Sequence, residues 1–428
     1  MRVVRGVALL LCGCGVVVPR DLPDPSALDA SSDAMDLPPF DGGPPCSDPQ
    51  CTSKCPPSSP TTIIGTVFAP NGTLPLPNVL VYVPKRPLDP LVKAPNCGCG
   101  VVVSGEPLVA TLTDVHGRFA LRDVPSGANI PIVVQTERWR RVSIVPSVNQ
   151  CSDNPAPLLR LPRNRTEGDM PRIAVATGGC DPVACVLPKL GVDPQEMGVD
   201  SSAATRVVLY QGEGGGGPTG IKPASTLWSD SKELAKFDVA LLSSECAAND
   251  QTKTSPSTMQ AWVDAGGRVF LSGSHATWAD HLVADWKQTA SWGANVSASG
   301  PFTVITSSPR GKVLADWLDG LGATSSYGQI DGGPTPAHVG PVDPKKASPF
   351  VLATGGATSS LAFGAPLGVP LEQQCGRVVY VGLPSTGVVD AGFPQGCAGG
   401  LTPSELVLAY HLFSMRLCMT DTPPPVPQ

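Results

Sequence analysis

Charge is scarce in this chain. Asp, Glu, Lys and Arg make up 15% of 428 residues and leave a net charge of −6, too dilute for long helices with a charged outer face. Aromatic residues contribute only 5%, and no basic stripe interleaves with them, which excludes the electrostatic footprint of a nucleic-acid binder. The run Gly212-Glu213-Gly214-Gly215-Gly216-Gly217 lacks the Lys-Ser/Thr of a P-loop, so it predicts a flexible loop and no nucleotide. No complete catalytic constellation is present, and neither a cofactor nor a metal is called for. What the chain has in abundance is proline (48), glycine (46) and cysteine (14). That mixture implies many turns, and the length allows two or three domains.

The first residues read as an export signal. Arg2 and Arg5 precede the apolar run Val7-Ala8-Leu9-Leu10-Leu11, far shorter than the roughly 20 residues that span a bilayer. The run ends in Leu11-Cys12-Gly13-Cys14, which resembles a bacterial lipobox. Small Gly13 makes Cys14 the natural lipid acceptor, although Cys12 stands where Ala or Ser is usual. An ordinary cleaved signal is the alternative. Residues 1–13 are thus expected as signal peptide, and residues 14–60, rich in Pro, Asp and Ser, as an extended tether with too few large apolar side chains for a core. The partners expected are a membrane, through the lipid, and a cell-envelope glycan or protein.

Export changes the meaning of the cysteines, which outside the cytosol are read as bridges. Apart from Cys12 and Cys14 they divide evenly: Cys46, Cys51, Cys55, Cys97, Cys99 and Cys151, then Cys180, Cys185, Cys246, Cys375, Cys397 and Cys418. Even numbers on each side predict disulfides confined within domains. A zinc site is less favoured, because the paired C-x2-C spacing is missing.

Residues 61–165 carry short β-rich runs, among them Ile63 to Phe68, Val79 to Val83, Leu108 to Thr113, Arg118 to Leu121, Ile132 to Gln135 and Arg141 to Val145. Asn71-Gly72, Asp114 to Gly117 and Pro125-Ser126-Gly127 punctuate them as turns. The pattern predicts an antiparallel β-sandwich. Gly65-Thr66-Val67-Phe68-Ala69-Pro70-Asn71-Gly72, Leu76 to Val83, Thr113 to Phe119 and Val124 to Gly127 resemble the carboxypeptidase regulatory-like domain. That resemblance implies a transthyretin-like sandwich serving as an accessory module and carries over no catalytic residue. Trp139 among Arg138, Arg140 and Arg141 is either a stacking surface for a sugar or anion, or an inward ring between solvated arginines.

Residues 170–420 change rhythm to strands alternating with helices, and residues 421–428 form a Pro-rich tail. Strands are expected at Arg172 to Thr177, Arg206 to Tyr210, Phe237 to Leu242, Arg268 to Leu271 and Arg377 to Val381. Helices are expected from Asp181, as a cap, to Leu190, then at Ser257 to Ala265, Lys312 to Leu321 and Pro403 to about Leu417. The whole is therefore α+β multidomain: the sandwich, then an α/β unit with a mostly parallel sheet. Phe237-Asp238-Val239-Ala240-Leu241-Leu242-Ser243-Ser244, Trp262 to Phe270 and Gly376 to Tyr380 resemble the flavodoxin-like domains of the class I glutamine amidotransferase-like superfamily, and within it the trehalose-utilisation-type proteins.

Open parallel sheets bind ligands at the carboxyl ends of their strands. Three such ends are polar: Ser243-Ser244-Glu245-Cys246, Ser272-Gly273-Ser274-His275 with Trp278, Asp280 and His281 beyond, and Gly382-Leu383-Pro384-Ser385. The resemblance implies a cysteine nucleophile at a tight turn, but Gly273-Ser274-His275 offers none, and Cys246 reads as half of a disulfide. Ser274 lacks the second glycine of G-x-S-x-G. His275, Asp280 and His281 could approach a metal with Glu245, or His275 could bond its loop while His281 caps a helix. His411 reads as a core or interface histidine, and His116 as a turn residue. Glu245, Ser274 and His275 are the candidate catalytic residues, and Trp139 and Trp278 the candidate ligand contacts.

Two functions follow: an exported, lipid-anchored recognition protein with a catalytically degenerate α/β domain, or an extracytoplasmic hydrolase or sugar-modifying enzyme built on Glu245 and His275. The anchor has its own test. Cys14→Ala is expected to abolish incorporation of a labelled fatty acid and move the chain to the soluble extracytoplasmic fraction; unchanged labelling would exclude Cys14 as acceptor.

Overall fold

The computed structural model describes residues 55–91, 97, 103–333 and 335–414. The signal peptide, Cys14, most of the tether, the tail, and Cys46, Cys51, Cys99 and Cys418 lie outside the described residues. Among the described residues, no helix is long and apolar enough to cross a membrane.

Among the described residues, eight strands build the amino-terminal part. They are β1 (Thr62–Phe68), β2 (Leu80–Pro84), β3 (Pro107–Leu112), β4 (Arg118–Arg122), β5 (Gly127–Thr136), β6 (Trp139–Val148), β7 (Asp153–Pro155) and β8 (Leu159–Arg160). One sheet runs β3-β2-β5-β6 and is antiparallel throughout. The other sets β4 antiparallel to β1, whereas β7 and β8 lie parallel to it, so this sheet is mixed where an antiparallel one was expected. Alternate residues of each sheet (Ile63 and Val67, Val81 and Val83, Ile132 and Val134) enter one shared core, the period-2 burial of facing sheets. The turns form as their residues dictate. Asn71 Oδ1 accepts from the backbone of Thr73 and Leu74, and Asp114 Oδ1 from that of His116 and Arg118.

The second part holds β9 (Ile173–Thr177), β10 (Met197–Gly198), β11 (Val207–Gln211), β12 (Lys222–Pro223), β13 (Val239–Leu242), β14 (Arg268–Ser272), β15 (Ala290–Val304), β16 (Gln329–Ile330), β17 (Thr335–Val342), β18 (Ser348–Thr354), β19 (Thr358–Ala365) and β20 (Gly376–Val381). They share one sheet in the order β10-β11-β9-β13-β14-β20-β19-β18-β15-β16, with β12 on β11 and β17 on β15. From β10 to β20 every neighbouring pair is parallel. Counted in chain order, the five long parallel strands lie 2-1-3-4-5. Beyond β20 the sheet continues antiparallel, so it is mixed where a mostly parallel one was expected. Ile173 and Val175 of β9 point into one core cluster, Ala174 and Ala176 into a second. Both faces are covered, as parallel strands require.

The helices over Pro256–Asp264, Pro309–Gly320 and Pro403–Phe413 match their expected positions, each with proline in its first turn. The last opens with a capping box between Thr402 and Glu405, which satisfies two orphan amides at once. Asp181 departs from expectation. The following segment starts as a 3-10 turn with no side-chain cap, and the Asp181 carboxylate instead accepts from Ser272 Oγ and, at 2.9 Å, from Ser385 N.

Four disulfides join described cysteines: Cys55–Cys151, Cys97–Cys375, Cys180–Cys246 and Cys185–Cys397. Such bridges suit an oxidising, extracytoplasmic compartment. Cys97–Cys375 ties the first part to the second, so the bridges are not confined within domains. The two parts also share a core. Trp139 is 1% exposed and meets Phe413 edge-on at 5.8 Å, and Thr136 Oγ1 donates to Phe413 O at 2.7 Å.

His411 is buried as expected. Its Nε2 lies 2.9 Å from Ser360 Oγ, and burial, aided by the charges of Arg377 and Arg310, holds its pKa down to about 3. The unfolded imidazole protonates near 6.5, so the unfolded state takes up the extra proton and stability falls as pH drops from about 6.5 towards about 3. His411→Gln is expected to make the loss of stability between about pH 6 and 4 shallower by about 1.4 kcal/mol per pH unit, read by urea titration. An unchanged slope would mean that the ring protonates in place.

Candidate functional site

The order 2-1-3-4-5 puts a topological switch point at β9, whose two neighbours are β11 and β13. A crevice is expected there, outside the carboxyl ends. The backbone fills it instead. Cys180 N donates to Ser244 O at 3.0 Å, Gly179 N to Glu213 O at 3.3 Å, and Gly212 N to Thr177 O at 3.0 Å. A Cβ on Gly178 would stand 2.2 Å from Ser244 O, and one on Gly212 2.2 Å from Thr177 O. Only glycine permits this approach. Gly212 and Gly215, in the loop expected at 212–217, thus pack against the end of β9. The Cys180–Cys246 bridge then staples the loop after β9 to the loop after β13.

Glu245, Ser274 and His275 do come together, but inside the protein. Glu245 Oε2 pairs with Lys253 Nζ at 2.8 Å, their side chains 1% and 0% exposed. Lys253 Nζ also donates to Ala248 O at 2.6 Å, and Glu245 Oε1 accepts from Glu213 N at 3.2 Å. Ser274 Oγ accepts from Glu245 N at 2.9 Å and lies 3.2 Å from Ser244 Oγ. It joins the loop after β14 to the loop after β13.

His275 is fully buried. Trp278 Nε1 donates to its Nδ1 at 3.2 Å, so the neutral ring carries its proton on Nε2. That nitrogen has no hydrogen-bond partner, and Glu245 Oε1 stands 3.9 Å from it. Burial first, then the charge of Lys253, holds the imidazole pKa well below its ordinary range, against a pull from the Ser243 backbone. Trp278 is itself 0% exposed and packs edge-on to Trp228 at 5.5 Å. Neither Trp278 nor Trp139 presents a face to a ligand. The arginines beside Trp139 are not solvated either: Arg140 and Arg141 are buried, and Arg140 donates to Asp169, Ser104 and Asp89 O.

The other polar residues disperse. His281 reaches the surface, with Nδ1 2.9 Å from Asp280 and Nε2 2.7 Å from Asp250, and Asp280 and Asp250 raise its pKa. It neither joins His275 nor caps a helix. No group of three metal-ligating side chains converges among the described residues. Asp181 has the raised pKa of a carboxyl group desolvated by burial, opposed by its Ser272 and Ser385 hydrogen bonds. It, Lys253 and Asp250 are the strand-end residues that sequence reasoning missed. A lone Lys eight positions after Glu245 carries no pattern that could have marked it.

A buried ion pair, a histidine with a depressed pKa and two indoles thus occupy the carboxyl ends of β13 and β14. Breaking a buried pair from one side leaves an uncompensated charge, at a cost of about 3–5 kcal/mol. Lys253→Met is expected to lower the unfolding free energy by about that amount, and Lys253→Met with Glu245→Leu to recover most of it. A denaturation midpoint unmoved by Lys253→Met would show the pair to be solvated.

No protein-family model matches this chain, and no curated protein matches it. Among solved structures it is similar to a type II cohesin–X-dockerin complex of Acetivibrio cellulolyticus with an N-terminal interface mutation. The identity is 14% and the TM-score 0.16, over 34% of this chain and 78% of that one. The C-terminal interface mutant of that complex matches at 12% identity and a TM-score of 0.15, over 34% and 79%. A 9R-lipoxygenase from Cyanothece PCC8801 matches at 15% identity and a TM-score of 0.15, over 27% of this chain and 18% of that one. At these scores the similarities carry no argument about fold or function.

Proposed function

We propose that this chain is an exported, lipid-anchored cell-envelope protein that binds a glycan, a cell-wall component or a protein, and that its α/β part is a scaffold without catalysis. In this reading the amino-terminal part is a carboxypeptidase regulatory-like sandwich. The second part is a flavodoxin-like, amidotransferase-like domain, a reading supported by the 2-1-3-4-5 strand order. The disulfides between described cysteines fit export.

One observation carries the non-catalytic reading: the strand-end crevice is occupied by the protein itself. A hydrolase built on Glu245 and His275 would need both groups within reach of substrate. Glu245 is held by Lys253, and His275 is 0% exposed beneath Trp278. Opening the site would mean unpairing a buried charge and parting loops joined by Cys180–Cys246.

The test sets the full chain and its His275→Ala form against a glycan array and a panel of chromogenic esters and glycosides. Saturable glycan binding, equal in both forms and without turnover, is expected. Turnover abolished by His275→Ala, with the circular dichroism spectrum intact, would replace this reading with the hydrolase.

A further inference from the structure

The opposite edge of the parallel sheet is open. A cleft of about 420 Å³ lies at the amino ends of the strands, in the seam between the two parts. Ligand pockets span roughly 300–1,000 Å³, so it has room for a sugar-sized molecule. Its wall carries five cations, Arg138, Arg172, Arg206, Lys232 and Lys236, against two carboxylates, Asp169 and Asp238. In a chain of net charge −6 this concentration of positive charge is local and specific.

Both carboxylates are already engaged. Asp169 Oδ2 takes Nε and Nη2 of Arg140 at 2.8 and 2.7 Å. Asp238 takes Arg138 Nε at 2.9 Å and the backbone N of Arg172 at 2.7 Å. Two of the cations are not. Among the described residues no carboxylate pairs with Arg206 or Lys232, and Nε of both Arg206 and Arg172 is buried without a partner. An unmatched guanidinium donor inside a wall is costly. A carboxylate or phosphate, with two oxygens on one side, is the ligand that a planar guanidinium fork satisfies two bonds at a time.

We infer that this cleft binds a small organic oxyanion, a phosphate- or carboxylate-bearing molecule of about sugar size, with Arg206 and Lys232 as its principal contacts. The inference deepens the binding reading by naming a ligand class and a place.

Calorimetric titration of the full chain at low ionic strength tests it, with inorganic phosphate, glucose 6-phosphate and glucuronate as anions and glucose as the neutral control. Saturable binding of at least one organic anion is expected, tighter than inorganic phosphate and weakened by added salt. Glucose is expected not to bind. Arg206→Gln and Lys232→Gln should each weaken binding about tenfold or more, whereas Lys345→Gln, an exposed cation outside the cleft, should not. Lys232 is exposed, so its variant decides the matter if Arg206→Gln fails to fold. No saturable binding of either organic anion, equal affinity in Lys232→Gln, or glucose binding as tightly as glucose 6-phosphate would each overturn the inference. Turnover in the ester and glycoside panel would sink the non-catalytic reading and leave the cleft standing. Salt-insensitive glycan binding indifferent to Lys232→Gln would sink the cleft and leave that reading standing.

Discussion

Glu137, at the tip of the β5–β6 hairpin, holds a left-handed φ of 53° and passes its carboxylate to Arg268 at the first position of β14, 2.8 Å away. Its neighbours make the same crossing: Arg138 reaches Asp238, Trp139 reaches Phe413, and Thr136 bonds the last turn of the final helix. A non-glycine residue in this backbone region is disfavoured, and here the contacts of Thr136, Glu137, Arg138 and Trp139 with the second part hold it in place. One core cluster therefore runs through both parts, and Cys97–Cys375 closes the same junction covalently.

That junction sets the character of the sheet's two ends. At the amino ends, the hairpin brings Arg138 beside Arg172 and Arg206 without filling the space between them, so cations gather around open solvent. At the carboxyl ends, the loops close on one another. Glycines at 178 and 212 let backbone meet backbone, a disulfide fixes the contact, and the Glu245–Lys253 pair fills the rest. Open α/β sheets usually hold their crevice at the carboxyl ends; here the larger opening lies at the amino ends.

Burial governs the polar groups at the sealed end. Glu245 is matched by Lys253 and, on the neighbouring face, Lys189 by Glu405 at 2.7 Å, whereas Asp181 has only hydroxyl and amide donors and a raised pKa. Histidines that cannot be matched stay neutral, as His275 and His411 do. Low dielectric penalises a charge left without a partner, which is why these groups are paired or have shifted pKa values.

The parallel strands were legible in the sequence because burial on both faces demands unbroken apolar runs, as at Ile173 to Ala176 and Val239 to Leu242. The turns at Asn71-Gly72 and Asp114 to Gly117 were legible because side chains there replace backbone partners locally. The antiparallel extension from β15 to β19 was not. Segments such as Ser299-Gly300-Pro301 and Thr358-Ser359-Ser360 follow no clean alternation, and their place is set by pairing with β20 and with one another. The sequence alone also brought Glu245, Ser274 and His275 to the strand ends, since strand position needs only local pattern. Whether those ends would be open was decided by contacts between residues far apart in the chain: Trp228 on Trp278, Cys180 on Cys246, Asp181 on Ser272 and Ser385. The cationic cleft belongs to the same class. Its arginines and lysines are scattered from position 138 to 236, and only the docking of one part on the other gathers them, because charge density is a property of space and not of sequence order.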